Sequence, residues 1–108
     1  MAGSDDGVIN TKARATFVFS DKPNEGSTIT LQDGDGTTVT FEIDDSEDGV
    51  TAGNVALTEI AENGGGGTGT ATELVAKINA QSSFGISAYN PSAGTVFLLQ
   101  DVFGTSGN

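Results

Sequence analysis

The first half of the chain alternates apolar and polar residues in the way that β-strands do. Apolar residues at every second position predict a strand over 13–20, and the same alternation recurs over 28–32 and 38–44. The last two segments are separated by the residues 33–36, Asp-Gly-Asp-Gly. Asx-Gly steps between alternating segments are a strong signal for a β-hairpin. We therefore expect three strands, the second and third joined as a hairpin.

The period of the pattern changes after a short apolar stretch of ambiguous type over 55–60. The residues 63–69 (NGGGGTG) predict a flexible connector, because glycine loses more backbone entropy on ordering than any other residue. Apolar residues then recur at helical spacing over 70–80, and Thr70 with Glu73 fits a capping box. We expect one helix that begins at Thr70 and packs on the strands, since about three turns are not stable alone.

Two more strands are predicted after the helix. The residues 86–89 alternate, a turn is expected over 90–94, and the residues 95–100 (TVFLLQ) are apolar on both faces, as in a central strand. The fold class that follows is α+β, mainly β: a largely antiparallel sheet of about five to six strands with one short helix packed on a face. We expect residues 1–12 to form an N-terminal arm and residues 13–108 a single β-rich domain.

The amino-acid composition excludes several classes of catalytic site. The 108 residues include no His and no Cys, which excludes a Ser-His-Asp triad, a Cys nucleophile and a Cys/His zinc site. The formal net charge of -11, with only four basic residues, disfavours nucleic acid and anionic lipid. No apolar run is long enough for a membrane helix, and the start lacks the features of a signal peptide. We expect no cofactor, no nucleic-acid partner and no membrane partner.

Carboxylates are the remaining candidates for chemistry. Two of them suffice for glycosidase-type catalysis, but Asp33 with Asp35 and the loop 44–49 (DDSEDG) lie in predicted exposed turns, where a carboxyl group keeps an ordinary pKa. We therefore expect no enzyme. Hard cations also take oxygen ligands from acidic loops. The weak metal candidates are Asp44, Asp45, Glu47 and Asp48.

The segment 97–103, with Phe97, Leu99, Val102 and Phe103, gives more apolar surface than one sheet face and one short helix can cover, and the arm adds the apolar pair Val8 and Ile9, which either lies in a disordered start or orders against a partner. Such residues belong either to the core or to a subunit interface. The interface candidates are Val8, Ile9, Phe97, Leu99, Val102 and Phe103.

Five segments carry a family resemblance: residues 26–40 (GSTITLQDGDGTTVT) running into 41–44 (FEID), 53–56 (GNVA), 71–80 (ATELVAKINA), 86–88 (ISA) and 96–108 (VFLLQDVFGTSGN). They resemble a repeat-type, β-rich domain of the virion structural proteins of tailed bacteriophages, especially those of marine and cyanobacterial hosts. The resemblance covers about residues 16–108. Its motifs are structural, so it implies a role in virion architecture and supplies no catalytic residues.

The resemblance and the single copy of the domain favour a capsid decoration or cement protein. Its expected partners are the major capsid protein and copies of itself, with a trimer at a local three-fold axis as the natural arrangement. It would be made in the host cytoplasm and located in the virion, on the capsid surface. One alternative is a tail, neck or head-fibre module. A further alternative is a calcium- or carbohydrate-binding adhesion domain that uses the acidic loop.

Overall fold

A computed structural model of the chain describes residues 12–103, with side chains described for residues 14–100. Most of the arm expected over 1–12 lies outside the described residues, and Lys12 already begins the first strand. The elements are β1 (Lys12–Val18), β2 (Thr28–Gln32), β3 (Thr38–Ile43), β4 (Val55–Leu57), α1 (Gly66–Asn79), β5 (Ile86–Tyr89) and β6 (Thr95–Phe103). The predicted mainly β fold with one helix is confirmed for this part of the chain.

The strands form two sheets of three rather than one larger sheet. The first sheet has the order β1-β6-β5 and is antiparallel throughout. The second has the order β2-β3-β4, in which β2 and β3 form the predicted hairpin and β4 runs parallel to β3. Two facing sheets give the alternating strands a common core, which a single short helix could not have provided.

The core lies between the sheets and is completed by α1. The helix packs against β4, β5 and β6, so it covers the side of the molecule where those strands meet. The opposite side, between the edge strands β1 and β2, has no such cover among residues 12–103. The buried apolar residues of the elements are Leu31, Phe41, Ile43, Leu57, Ala71, Leu74, Ile78, Ile86, Ala88, Val96 and Leu98.

The turn between β2 and β3 is held by a buried carboxylate. Asp33 is only 7% exposed, and its Oδ1 accepts the backbone N–H groups of Asp35 and Thr37. Its Oδ2 accepts the N–H of Gly85, 2.8 Å away, just before β5. The expectation that this carboxylate is solvated was wrong, because the turn packs against the segment that links α1 to β5. Asp33 therefore joins the hairpin to the other sheet.

The glycine run does not form the expected connector, since α1 already begins at Gly66. Gly67 and Gly69 are buried and lie against other parts of the backbone. A Cβ on Gly67 would stand 2.7 Å from the carbonyl carbon of Phe19, and one on Gly69 would collide with the carbonyl group of Ile60. These glycines allow a close approach of helix and loops, so their role is packing and not flexibility.

The predicted capping box is also wrong, because the helix starts a turn before Thr70. The Thr70 hydroxyl donates to the carbonyl oxygen of Gly66, inside the helix. Glu73 is 2% exposed, and its Oε2 accepts the N–H groups of Thr58 and Glu59, each at 3.0 Å. The second carboxylate oxygen of Glu73 accepts from the side-chain amide of Asn63. Glu73 thus fixes the loop between β4 and α1 to the helix.

Candidate functional site

The outer face of the first sheet is the surface that turns away from the core. Register and side-chain alternation place on it the residues that alternate with the inward-facing residues of β1, β5 and β6. The described members of this outer face are Arg14, Thr16, Val18, Ser87, Tyr89, Thr95, Phe97 and Leu99. No other element of residues 12–103 packs over it, since α1 and the second sheet lie on the inner side.

Large apolar side chains dominate this outer face. Val18 is 72% exposed and Tyr89 is 52% exposed. Phe97 and Leu99 are half-buried by their neighbours on the sheet. The rings of Tyr89 and Phe97 form a tilted pair with centroids 5.1 Å apart, a favourable arrangement for aromatic rings. The face therefore combines these four apolar side chains with Arg14, Thr16, Ser87 and Thr95, and none of its described side chains is acidic.

The charge distribution sets this face apart. Within the part of the chain that has described side chains, Arg14 is the one charged residue of the outer face. The equivalent face of the second sheet carries threonines and Glu42. Hydrogen bonds from Asn54 and from the N–H of Thr51 lower the pKa of Glu42 and so keep it ionised. An acidic partner or a second copy would meet less repulsion at the first face than at the second.

The structure places two of the interface candidates on this patch. Phe97 and Leu99 lie on the outer face and do not belong to the core. Val8 and Ile9 lie outside the described residues. The backbone of Val102 and Phe103 continues β6, but their side chains are outside the described part. Alternation along β1 and β5 already predicted that Val18 and Tyr89 point outward, but the interface candidates did not include them.

A cleft opens on the uncovered side of the molecule, between β1 and β2. Its volume is about 260 Å³. The apolar residues that line it are Ala15, Phe17, Leu31, Ile86 and Leu98, and the polar ones are Arg14, Thr30, Gln32 and Gln100. The two edge strands thus leave the margin of the core open to an apolar group from outside.

The acidic loop after β3 is more ordered than expected. Asp44 is 3% exposed, and its carboxylate accepts the N–H groups of Asp48 and Gly49. Burial raises the pKa of Asp44, and the side chain of Asp48 adds to the effect. The prediction of a solvated carboxyl group with an ordinary pKa is therefore wrong at this position. Asp44 closes the loop as a local acceptor of hydrogen bonds.

Of the four metal candidates, the structure brings Asp44 and Asp48 together with Glu25, which the sequence did not suggest. One carboxylate oxygen from each lies within 4.8 Å of the others. Asp45 instead pairs with Lys22 at 2.6 Å, and Glu47 is exposed. The Glu25 carboxylate accepts from the N–H groups of residues 45 and 46 and from the Ser46 hydroxyl. Backbone N–H groups of the same loop thus occupy the carboxylates of Glu25 and Asp44.

Within residues 12–103, no helix combines the length and the hydropathy that crossing a lipid bilayer requires. Comparisons of the chain with protein-family models, with curated proteins and with solved structures gave no match. The site must therefore be interpreted from its own geometry: a sheet face whose described side chains include four apolar residues and one charge, beside a cleft at the edge of the same sheet.

Proposed function

We propose that this protein is a non-enzymatic virion structural protein, a capsid decoration or cement protein that binds the surface of a phage head and stabilises it. The observation that carries the proposal is the outer face, where Val18, Tyr89, Phe97 and Leu99 form an apolar patch. Contiguous apolar surface on a small domain is typical of a docking site. The partners are the major capsid protein and further copies of this chain.

The charge of the chain supports the choice of this face. A net charge of -11 keeps molecules apart wherever carboxylates face each other. The outer face escapes that repulsion because its described side chains include no carboxylate. Docking there buries aromatic and aliphatic groups while the acidic loops stay in solvent, which keeps the assembled particle soluble.

The size of the face indicates how it would be used. Its three strands have seven, four and nine residues, and at about 4.8 Å between strands and about 3.3 Å per residue they cover on the order of 300 Å². A stable interface needs roughly 800 Å² from each partner. One copy would therefore bind weakly, whereas several linked copies gain avidity without any new kind of contact. Binding in many copies on a repetitive surface suits such a domain.

The phage resemblance adds independent support. Residues 26–40 form the β2–β3 hairpin with its buried turn, residues 71–80 form most of α1, and residues 96–103 form β6. The resembling segments thus coincide with elements that build the core and the outer face. They support a role in virion architecture.

The two alternatives differ from the capsid proposal in the surface that they use or in how they use it. A tail, neck or head-fibre module would stack it end to end. An adhesion domain would instead rely on the acidic loop, whose carboxylates already accept hydrogen bonds from their own loop; we therefore do not favour it.

Copy number separates the capsid proposal from the tail proposal. We expect quantitative mass spectrometry of intact particles of the encoding phage to find hundreds of copies of this chain per particle, as closed icosahedral surfaces require. A number in the tens or below would favour a tail, neck or fibre module. Complete absence from purified particles would overturn both structural proposals.

A further inference from the structure

Within residues 12–103, the strand β1 has one edge that pairs with no other strand. In the sheet order β1-β6-β5, β1 is an edge strand, and among residues 12–103 it pairs only with β6. It is seven residues long, and an unpaired strand edge is a template for an added strand. Such a strand would lie over the cleft between β1 and β2 and send every second side chain into it.

The chemistry of the edge indicates what kind of strand it would accept. The floor of the cleft is apolar, with Ala15 and Phe17 contributed by β1 itself. On its outer side, β1 carries the exposed Val18. Two of the four basic residues of the chain, Lys12 and Arg14, also belong to β1. An added strand should therefore combine apolar, β-branched residues with carboxylates.

We propose that β1 accepts a strand from a second copy of this chain, supplied by the residues 4–10 (SDDGVIN). This segment carries Val8 and Ile9 next to Asp5 and Asp6. Because neighbouring side chains of a strand point to opposite faces, one of the two apolar residues enters the cleft and the other joins the outer face. The carboxylates complement the basic end of β1.

Residues 4–10 cannot bring Val8 or Ile9 to the cleft of their own chain by folding back on β1 as a hairpin. In an antiparallel hairpin the two residue numbers of every pair add up to the same value. A two-residue loop at 10–11 would pair Ile9 with Lys12. Asp6 would then lie opposite Ala15, so a carboxylate would cover the apolar cleft. Longer loops move the apolar pair further away, and a parallel pairing needs a crossover of a dozen residues or more. The same segment of another copy is not tied to β1 by a loop, so it can pair in a register that places Val8 or Ile9 at the cleft.

The exchange of a strand from one copy to the edge of the next is a head-to-tail contact. Such contacts close into rings when the rotation allows it. A ring would present several outer faces together and so supply the avidity that a single face lacks. In this respect the inference rests on the proposed function, but the exchange itself can be measured in the free protein without any capsid.

Disulfide trapping tests the exchange directly, because the chain contains no cysteine. Copies with Val8→Cys or Ile9→Cys are mixed, one at a time, with copies carrying Ala15→Cys on the inner side of β1 or Thr16→Cys on its outer side. We expect one of the two donors to form a covalent dimer with Ala15→Cys and not with Thr16→Cys, since disulfides need Cβ atoms about 4 Å apart. The proposal would be overturned if neither donor formed a dimer with Ala15→Cys. It would also be overturned if the donor that reacts with Ala15→Cys reacted equally well with Thr16→Cys.

A second test of the strand exchange measures the native mass of the free protein. We expect the full wild-type chain to be oligomeric and Ala15→Asp, at an exposed position, to weaken self-association at least about 10-fold, because it places a charge in the cleft. Thr28→Asp, which adds the same charge to an exposed site on the other sheet, should stay oligomeric. A monomeric wild-type chain would refute the strand exchange and leave the capsid proposal to its own copy-number test.

Discussion

At the scale of single residues, the unexpected feature is that carboxylates of the turns serve as internal acceptors. Asp33 and Asp44 lie in segments whose composition is typical of exposed loops, yet each is buried and accepts backbone N–H groups. The hairpin around Asp33 followed from its Asp-Gly steps. The contact with Gly85, 52 positions further along the chain, could not, because no local pattern records which distant segment will cover a turn.

These two carboxylates should give opposite dependences of stability on pH. The N–H of Gly85 and those of the turn lower the pKa of Asp33 below its ordinary 3.8, against a smaller effect of burial. Its contribution to stability is therefore present above about pH 4 and is lost as the pH falls through the lowered pKa. The pKa of Asp44 is raised, so its contribution is largest below 3.8 and is lost as the pH rises through the raised pKa.

Chemical denaturation between pH 3 and pH 7 checks this expectation. The difference in unfolding free energy between wild type and Asp33→Asn should shrink as the pH falls. The difference between wild type and Asp44→Asn should shift in favour of the wild type over the same range. Asp35→Asn, at an exposed residue of the same turn, serves as the control. Parallel curves for all three variants would show that neither carboxylate titrates in the way the structure implies.

At the scale of elements, the sequence predicted the kind of each element better than its limits. Helical spacing identified α1, alternation identified four of the strands, and a segment that is apolar on both faces identified β6, but the helix begins four residues before Thr70. Glycine propensity favoured a connector there, and close backbone packing against Phe19 and Ile60 outweighed it. The division into two sheets could not be predicted either. Alternation shows that a strand has one buried face, but it does not show which strands belong to the same sheet.

The packing role of the helix glycines predicts a specific cost. Gly67→Ala and Gly69→Ala should each lower the free energy of unfolding by about 1–3 kcal/mol, because the added Cβ meets backbone that cannot move aside. The gain in intrinsic helix propensity, about 1 kcal/mol, does not offset this. Thr68→Ala, at the exposed position between them, should be neutral or stabilising. Thermal and denaturant unfolding measure the effect. Stabilisation by the two glycine replacements would show that the run is the flexible connector its composition suggests.

At the scale of the whole molecule, the two sides of the β1-β6-β5 sheet have separate roles. The inner side and α1 build the core, and the described side chains of the outer side include four apolar residues and no carboxylate, on an acidic protein. Sequence reasoning singled out Phe97 and Leu99 as candidates without deciding between core and interface. The register with β1 and β5 places both on the outer side of the sheet, outside the core.

The central claim is that this outer face binds the capsid, and equilibrium binding to phage heads stripped of the protein tests it most directly. Wild-type chain should saturate the heads at hundreds of copies, as a repeated lattice site requires. Val18→Asp, which places a charge on the patch at a 72% exposed position, should bind at least about 10-fold more weakly. Thr28→Asp, with the same added charge on the opposite sheet, should bind like the wild type. Equal binding by both variants, or no saturable binding of the wild type, would contradict the account.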